Sequence, residues 1–307
     1  MVDKLEKIWL DGEMVNWADA QIHILTHSLH YGLGAFEGIR AYKRQNGKTT
    51  IFRLNEHVDR LFDSCRMILI KQEFSKEQIK SACADILRVN KLEEGYIRPI
   101  SFIGEGAMGI YAPNNPIRTA VVAWRWGAYL GEEALKAGIR TKISSFARHH
   151  VNVSLAKAKM TGQYSNSVLA KREAKFGGYD EAILLDASGY VSEGSGENIF
   201  IVKKGMIYTP DLSCSILEGI TRDTIITLAR ELGYGLTECR ITRDQLWLAD
   251  EVFFTGTAAE VTPVREVDNR QIGEGVVGPI TKRIQERFFD IVRGSDHTSH
   301  PEWLTEV

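Results

Sequence analysis

Short stretches in which apolar and polar residues alternate open the chain. KIWLDG, IRAYK and TTIFRL read as strands, with turns at Asp11-Gly12 and Asn46-Gly47. The period then lengthens. From Asn55, EHVDRLFDSCRMIL places apolar residues at Val58, Leu61, Phe62, Cys65 and Leu69, the spacing of one helix face. Arg60 stands one position before Leu61 and therefore beside that stripe. Ser75 and Gln78 form a capping box for a second helix with an apolar face through Ile79, Ala82, Cys83, Ile86 and Leu87. Two strong strands follow, GYIRPISFIG and IRTAVVAWRW. Helices packed to one side of strands predict a small α/β domain over residues 1–122.

The next stretch, WRWGAYLGEEALKAG, has aromatic residues, glycines and no sustained period, and residues 123–135 read as a connector. From Ile139 strands (TKISSF, YDEAILLD, NIFIVKKGMIYT, EVFFTGT) alternate with three helices. The first is SNSVLAKREAKF. The second, GITRDTIITLAREL, stops at Gly233, and the last starts at Pro279 and runs TKRIQERFFDIV to Gly294. Residues 136–307 are thus expected to form a larger domain, and the fold class is mixed α/β with two domains. The final dozen residues are polar and are expected to fray.

Composition narrows the function. Lys and Arg number 38 against 40 Asp and Glu, a net charge of -2, which gives no electrostatic case for nucleic acid or an anionic membrane. No signal peptide is visible in MVDKLEKIWLDGEMVNW, and no apolar run approaches a membrane span. Cys65, Cys83, Cys214 and Cys239 are scattered, without a CxxC pair or a His/Cys cluster. They read as reduced thiols of a cytoplasmic protein with no metal site.

Candidate chemistry lies in the second half. LAKAKMTGQY carries Lys159 on what reads as a strand end feeding a turn around Gly162, where desolvation would make the amine a usable nucleophile for a Schiff base. Lys157 competes for the role, since on a strand the two would face opposite sides. In SEGSGENIF, Glu193 ends a hairpin-like turn and Asn198 starts a strand. Its carboxylate suits a protonated ring nitrogen, and Gly194 and Gly196 allow close backbone approach, although an ordinary loop accounts for the glycines as well. Neither this run nor GLGAFEG completes GxGxxG, which excludes a dinucleotide-binding fingerprint. LEGITRDT puts Gly219, Ile220 and Thr221 at a helix N-terminus, a place for phosphate or simply a Thr N-cap. Gly256, Thr257 and Ala258 in FFTGTAAEVTPV form a turn that suits an anion or a plain tight turn. Together these pieces ask for a phosphorylated, electron-poor ring aldehyde that condenses with a lysine, a description that fits pyridoxal phosphate.

In this order the motifs resemble the fold-type IV pyridoxal-phosphate enzymes and, among them, the bacterial branched-chain-amino-acid aminotransferases. The resemblance spans nearly the whole chain, from IWLDGEMVNWADAQIHILTHSLHYGLGAFEGIRAY through FRLNEHVDRLFDS, YIRP, WGAYLG, the lysine segment, EGSGENIF and GITRDT to GTAAEVTPVREVD and GPITKRIQ. It implies a small α/β domain, a larger pseudo-barrel domain, and transamination between leucine, isoleucine or valine and 2-oxoglutarate by a ping-pong mechanism. It makes Lys159 the Schiff-base lysine, because Lys159 stands five residues before Tyr164. Tyr164 is implied at the cofactor's phenolic oxygen, Glu193 at its ring nitrogen and Leu217 against the ring. Arg60, the N–H of Ile220, Thr221 and Thr257 are implied at the phosphate, with Asn198, Gly219 and Gly256 around them. Phe36, Trp126, Tyr129 and Tyr164 would wall an apolar substrate pocket. Tyr96 and the Thr257–Ala258 turn would take the α-carboxylate, and Arg98 would help receive the distal carboxylate of glutamate. Tyr31 and Ile110 match positions lent to a neighbouring subunit, which implies at least a homodimer and leaves a hexamer open. Met160 and Thr161 depart from the pattern, being bulkier than the residues often found after the lysine. The alternatives are a D-amino-acid aminotransferase, a 4-amino-4-deoxychorismate lyase of the same fold, and a catalytically idle homologue that only binds.

Overall fold

The turn at Asp11-Gly12 shows how local chemistry sets the architecture. Both residues take positive φ, 48° and 100°, and pair Leu10 with Glu13, the geometry of a two-residue hairpin whose twist matches its strands. The structure is a computed structural model that describes residues 4–127, 130–294 and 299–307. It divides into two compact units. One takes in residues up to Trp126, Ala158–Gln163 and residues from Ile291 on; the other takes in Gly127–Lys157 and Tyr164–Asp290. Both are discontinuous in sequence, whereas the hydrophobic pattern suggests continuous stretches.

The first unit is built on an eight-stranded sheet. Its strands are β1 (Lys7–Leu10), β2 (Glu13–Asn16), β3 (Gly34–Phe36), β4 (Ile39–Lys43), β5 (Thr49–Phe52), β6 (Gly95–Ile103), β7 (Ile117–Trp124) and the last strand of the chain, β17 (Leu304–Glu306). They run in the order β17-β5-β4-β6-β7-β1-β2, with β3 also paired to β6. The short α1 (His27–Tyr31) precedes β3. The two predicted helices are α2 (Leu54–Met67) and α3 (Lys76–Val89), the latter with the expected Ser75–Gln78 capping box.

Alternation along β6 decides what each face does. Ile97 pairs with Ile39 and Ala123, and all three join a core with Val58, Leu61 and Cys65 of α2 and Ile79, Cys83 and Leu87 of α3. Each such fully buried aliphatic side chain contributes about 1.5–3 kcal/mol. Tyr96 and Arg98, one position either side of Ile97, therefore point to the opposite face. The chain end is ordered rather than frayed. β17 pairs with β5, and Trp303 is 6% exposed, stacked on His300, edge-on to Phe52 and covered by the Arg53 guanidinium. Burial of that indole outweighs the polar composition around it.

A nine-stranded sheet organises the second unit, in the order β10-β9-β8-β15-β14-β11-β12-β13, with β16 on β15. The strands are β8 (Ile139–Ile143), β9 (Glu181–Leu185), β10 (Val191–Gly194), β11 (Asn198–Lys203), β12 (Met206–Thr209), β13 (Leu236–Glu238), β14 (Glu251–Gly256), β15 (Glu260–Val267) and β16 (Arg270–Gln271). Parallel pairs (β8–β9, β8–β15, β12–β13) mix with antiparallel ones. Besides the three expected helices, α5 (Tyr164–Phe176), α6 (Ile220–Glu231) and α8 (Pro279–Arg293), there are two short ones. α4 (Glu132–Ala137) lies where the sequence reads as connector. α7 (Arg243–Trp247) begins with a Thr242–Gln245 capping box that was legible but has only one buried residue, Leu246, behind it. No described helix is long and apolar enough to cross a membrane.

The start of α8 is held by a buried carboxylate. Glu251 accepts hydrogen bonds from the N–H of Ile280 (3.1 Å), the N–H of Thr281 (2.7 Å) and the Thr281 hydroxyl (2.7 Å). These are donors that a helix leaves without intrahelical partners, next to the positive end of its dipole. Glu251→Ala is expected to lower the urea midpoint by the equivalent of about 2 kcal/mol, the upper range for a lost helix cap. An unchanged midpoint would show that α8 starts without this carboxylate.

Candidate active site

Lys159 lies in irregular backbone just before the turn at residues 161–163, at the edge of a single bridged residue rather than on a full strand. The regular pairing nearest to it is an isolated bridge between Met160 and Ala35. Its N–H donates to Ser64 Oγ of α2 (2.9 Å), and its carbonyl accepts from the Phe36 N–H (3.1 Å). The following residues are stitched to the approach to β3: Thr161 N–H to Gly34 O, Gly162 N–H to Gly32 O, and the Thr161 hydroxyl to Gly32 O. A Cβ on Gly162 would meet Gly32 O at 2.9 Å, and one on Gly32 would meet Gly162 Cα at 3.1 Å, so both must be glycine. The bulk of Met160 and Thr161 thus serves packing and this stitch. Lys159 Nζ ends 5.1 Å from the centre of the Phe36 ring.

Around Phe36 the same unit collects further candidates. The Arg98 guanidinium lies 4.5 Å from the Phe36 centroid and 5.3 Å from that of Tyr96, whose hydroxyl accepts a long hydrogen bond from Arg98 Nη2 (3.4 Å). Arg98 Nε is buried and meets no acceptor among the described residues. Tyr96 packs edge-on against Trp126 at 4.6 Å. Its hydroxyl fits only because residue 38 is glycine, since a Cβ there would lie 1.8 Å away. Arg40, opposite Tyr96 on β4, is buried on the same face and donates to Trp126 O. Tyr129 lies outside the described residues. Arg60 reaches the fully buried Glu37, with Nε donating to Oε1 (2.7 Å) and Nη2 to Oε2 (2.9 Å). Tyr31 is half exposed with its hydroxyl on Met108 O, and Ile110 is exposed.

In the second unit Glu193 sits on β10 at a bulge and is buried. Arg148 Nη2 donates to its Oε1 at 2.5 Å, while Oε2 accepts from the Leu217 N–H (3.0 Å) and from Asn198 Nδ2 (3.3 Å). Asn198 also donates to Leu217 O. Gly219 is the N-cap of α6, so Thr221 is not the cap and its hydroxyl is left for other work. A Cβ on Gly219 would strike Asn198 Oδ1 at 1.9 Å. Asn198 lies opposite Thr255 on β14, whose hydroxyl is buried without a partner among the described residues. Gly256 follows, and Thr257–Ala259 turn the chain into β15, where Glu260 takes φ 54°. Tyr164 is the first residue of α5. Lys157, the competitor of Lys159, is occupied as a clamp: its ammonium donates to Leu212 O (2.8 Å) and Ile216 O (2.9 Å) just before Leu217. Burial lowers its pKa.

The family model for class IV amino-transferases matches residues 34–267. The chain belongs to this family. Along its full length it is 54% identical to the branched-chain-amino-acid aminotransferase of Pseudomonas aeruginosa, covering 99% of that protein. It is 47% identical to that of Escherichia coli K12 over 99% of the chain and 98% of the relative. Among solved structures, the Escherichia coli branched-chain amino acid aminotransferase superposes with a TM-score of 0.96 at 46% identity, covering 98% of this chain and 99% of that one. The enzyme of Thermobaculum terrenum, solved in its PLP (holo) form, gives 0.92 at 34% identity over 99% of this chain and 98% of that one.

Within this family frame, three side chains that the sequence reading passed over stand out. Arg148 is the buried cation on Glu193, and no local pattern in SSFARHH announces it. Glu37 and His57 surround Arg60, and here a signal existed: His57, Arg60, Leu61 and Ser64 follow helical spacing, which puts polar groups on a buried face.

Beside Glu193, Glu197 is buried, with the Gly196 N–H donating to its Oε2 (3.0 Å). Burial first, then the carboxylate of Glu181, push Glu197 up to about 8 from the ordinary 4.5, against the pull of Lys171, which pairs with Glu181. The folded chain therefore keeps a proton that the unfolded chain has lost, and this contribution to stability falls as pH rises from about 4.5 to about 8. Glu197→Gln has no proton to lose, so its urea stability is expected to decline less over that window. Equal slopes for the two proteins would contradict this assignment.

Proposed function

We infer that the chain is a pyridoxal-phosphate-dependent branched-chain-amino-acid aminotransferase, exchanging the amino group between leucine, isoleucine or valine and 2-oxoglutarate. The observation that carries this reading is identity of 54% to such an enzyme over all 307 residues. The donors present fit the cofactor. A buried carboxylate flanked by donors suits a ring nitrogen, the α6 N-terminus and its Gly219 cap suit phosphate, and a lysine held by its backbone at both N–H and C=O suits an aldehyde.

Pyridoxal phosphate, when bound, supplies a ring that withdraws the electrons left at Cα as a substrate proton departs. The residues do the rest. Lys159 would hold the cofactor's aldehyde carbon, and its free amine would take the Cα proton at Nζ. Glu193 would hold a proton at the ring nitrogen, and Tyr164 would hydrogen-bond the phenolic oxygen. Leu217 would pack on the ring. Arg60, the Ile220 N–H, Thr221 and Thr257 would bind the phosphate, with Gly219, Gly256 and Asn198 keeping the backbone close.

On the substrate side, Phe36, Trp126 and Tyr164 offer apolar contact to a branched side chain, and the sequence adds Tyr129. Tyr96 with the Thr257–Ala258 turn takes the α-carboxylate. Arg98, with Nε unmatched and aromatic rings around it, offers glutamate's distal carboxylate a partner that leucine does not need. A buried carboxylate without such a partner would cost several kcal/mol. Exposed Tyr31 and Ile110, beside exposed Ile24, Leu29 and Tyr111, support a homodimer in which both are lent to a second copy. Free thiols, mostly buried, support a reducing cytoplasmic setting.

Purified protein given L-leucine, L-isoleucine or L-valine with 2-oxoglutarate is expected to release glutamate and the matching branched 2-oxo acid, and to give no product from D-alanine. Faster turnover of D-amino acids, or pyruvate released from 4-amino-4-deoxychorismate with no transfer to 2-oxoglutarate, would replace this reading by one of its two relatives of the same fold.

A further inference from the structure

A buried ionic cluster of the first unit, Glu37 with His57, lies against Arg60 and has no part in the roles assigned above. Glu37 is 0% exposed. Its Oε1 accepts from Arg60 Nε, and its Oε2 from Arg60 Nη2, from His57 Nδ1 (2.7 Å) and from the Gly38 N–H (3.2 Å). Burial alone would raise the Glu37 carboxyl, but Arg60 and His57 carry it well below the usual carboxylate range. Burial holds His57 below its ordinary value, so it donates to Glu37 as a neutral ring.

A two-point contact on the Nε/Nη2 edge stops the guanidinium from turning about its Cδ–Nε bond. A cation fixed before an anion arrives loses less freedom on gripping it. We propose that Glu37, backed by His57, is a positioning residue that fixes the Arg60 guanidinium for binding the cofactor's phosphate. The proposal rests on the assignment of Arg60 to that phosphate. Neither Glu37 nor His57 needs to touch the cofactor. A purely structural ion pair would stabilise the fold without favouring a phosphorylated ligand over its unphosphorylated form, and that difference can be measured.

The full chain, freed of cofactor, is titrated with pyridoxal 5′-phosphate and with pyridoxal, and the ratio of the two Kd values reports the phosphate's contribution alone. Thermal unfolding of each cofactor-free variant checks that it is folded. Glu37→Gln is expected to cut that ratio by about tenfold or more, as the loss of a charge-assisted hydrogen bond requires. Arg60→Met should cut it at least as far, and the double variant no further than Arg60→Met alone, because the two act as one unit. Glu37→Asp keeps the charge but shortens its reach; it should also lower the ratio, and it carries the test if Glu37→Gln does not fold.

Equal weakening of both ligands by Glu37→Gln, or losses that add in the double variant, would overturn the proposal while leaving Arg60 on the phosphate. A ratio unchanged by Arg60→Met would remove the assignment of Arg60 itself, and the proposal with it.

Discussion

The close approach of Gly32 and Gly162 fixes the position of Lys159. Two backbone hydrogen bonds and the Thr161 hydroxyl join Thr161 and Gly162 to Gly32 and Gly34, and just before them Lys159 exchanges backbone contacts with Ser64 and Phe36. Any side chain at either glycine would force these backbones apart. Because β3 pairs with β6, the same stitch sets Lys159 against the face that carries Phe36, Tyr96 and Arg98. Lys159 is therefore placed by main-chain geometry.

Each unit also places a buried carboxylate against an arginine: Glu37 against Arg60, and Glu193 against Arg148. Such pairs add little net stability, because desolvation offsets most of the attraction, but removing one partner strands the other at a cost of about 3–5 kcal/mol. They are better understood as devices for orientation. Glu193 has donors on both oxygens, and Arg60 is gripped on one edge of its guanidinium. Lys157 works in the same way on main chain, fixing the segment that ends at Leu217 and the N-cap of α6.

Helices α2, α3, α5, α6 and α8 were legible because each is long enough to show a helical period, a cap or both. The β6 and β7 strands were legible from their apolar alternation. The pairing of β17 with β5 was not, since it depends on Trp303 finding Phe52 from the far end of the chain, beyond any local pattern. Candidate residues in sharp motifs, such as Glu193, Gly219 and Thr257, stand out from their turns and helix starts. Lys159 is a candidate of the same kind, lying just before the turn at residues 161–163 that the sequence suggests. Arg148 is not, because its meaning comes wholly from a carboxylate brought to it by the sheet. Glu37 and His57 fall between these cases: His57 lies on a visible helical stripe, but its partner Glu37 comes from the connection between β3 and β4, far from it in sequence.

The assignment of Lys159 over Lys157 bears most of the functional reading, and it can be tested by chemistry alone. Borohydride reduction of the enzyme with its cofactor bound, followed by digestion and peptide mapping, fixes the cofactor to whichever amine holds it. Label on Lys159 with Lys157 unmodified is the expected result. Label on Lys157 would contradict it, and would mean that the amine seen clamping Leu212 and Ile216 leaves those carbonyls to do the chemistry.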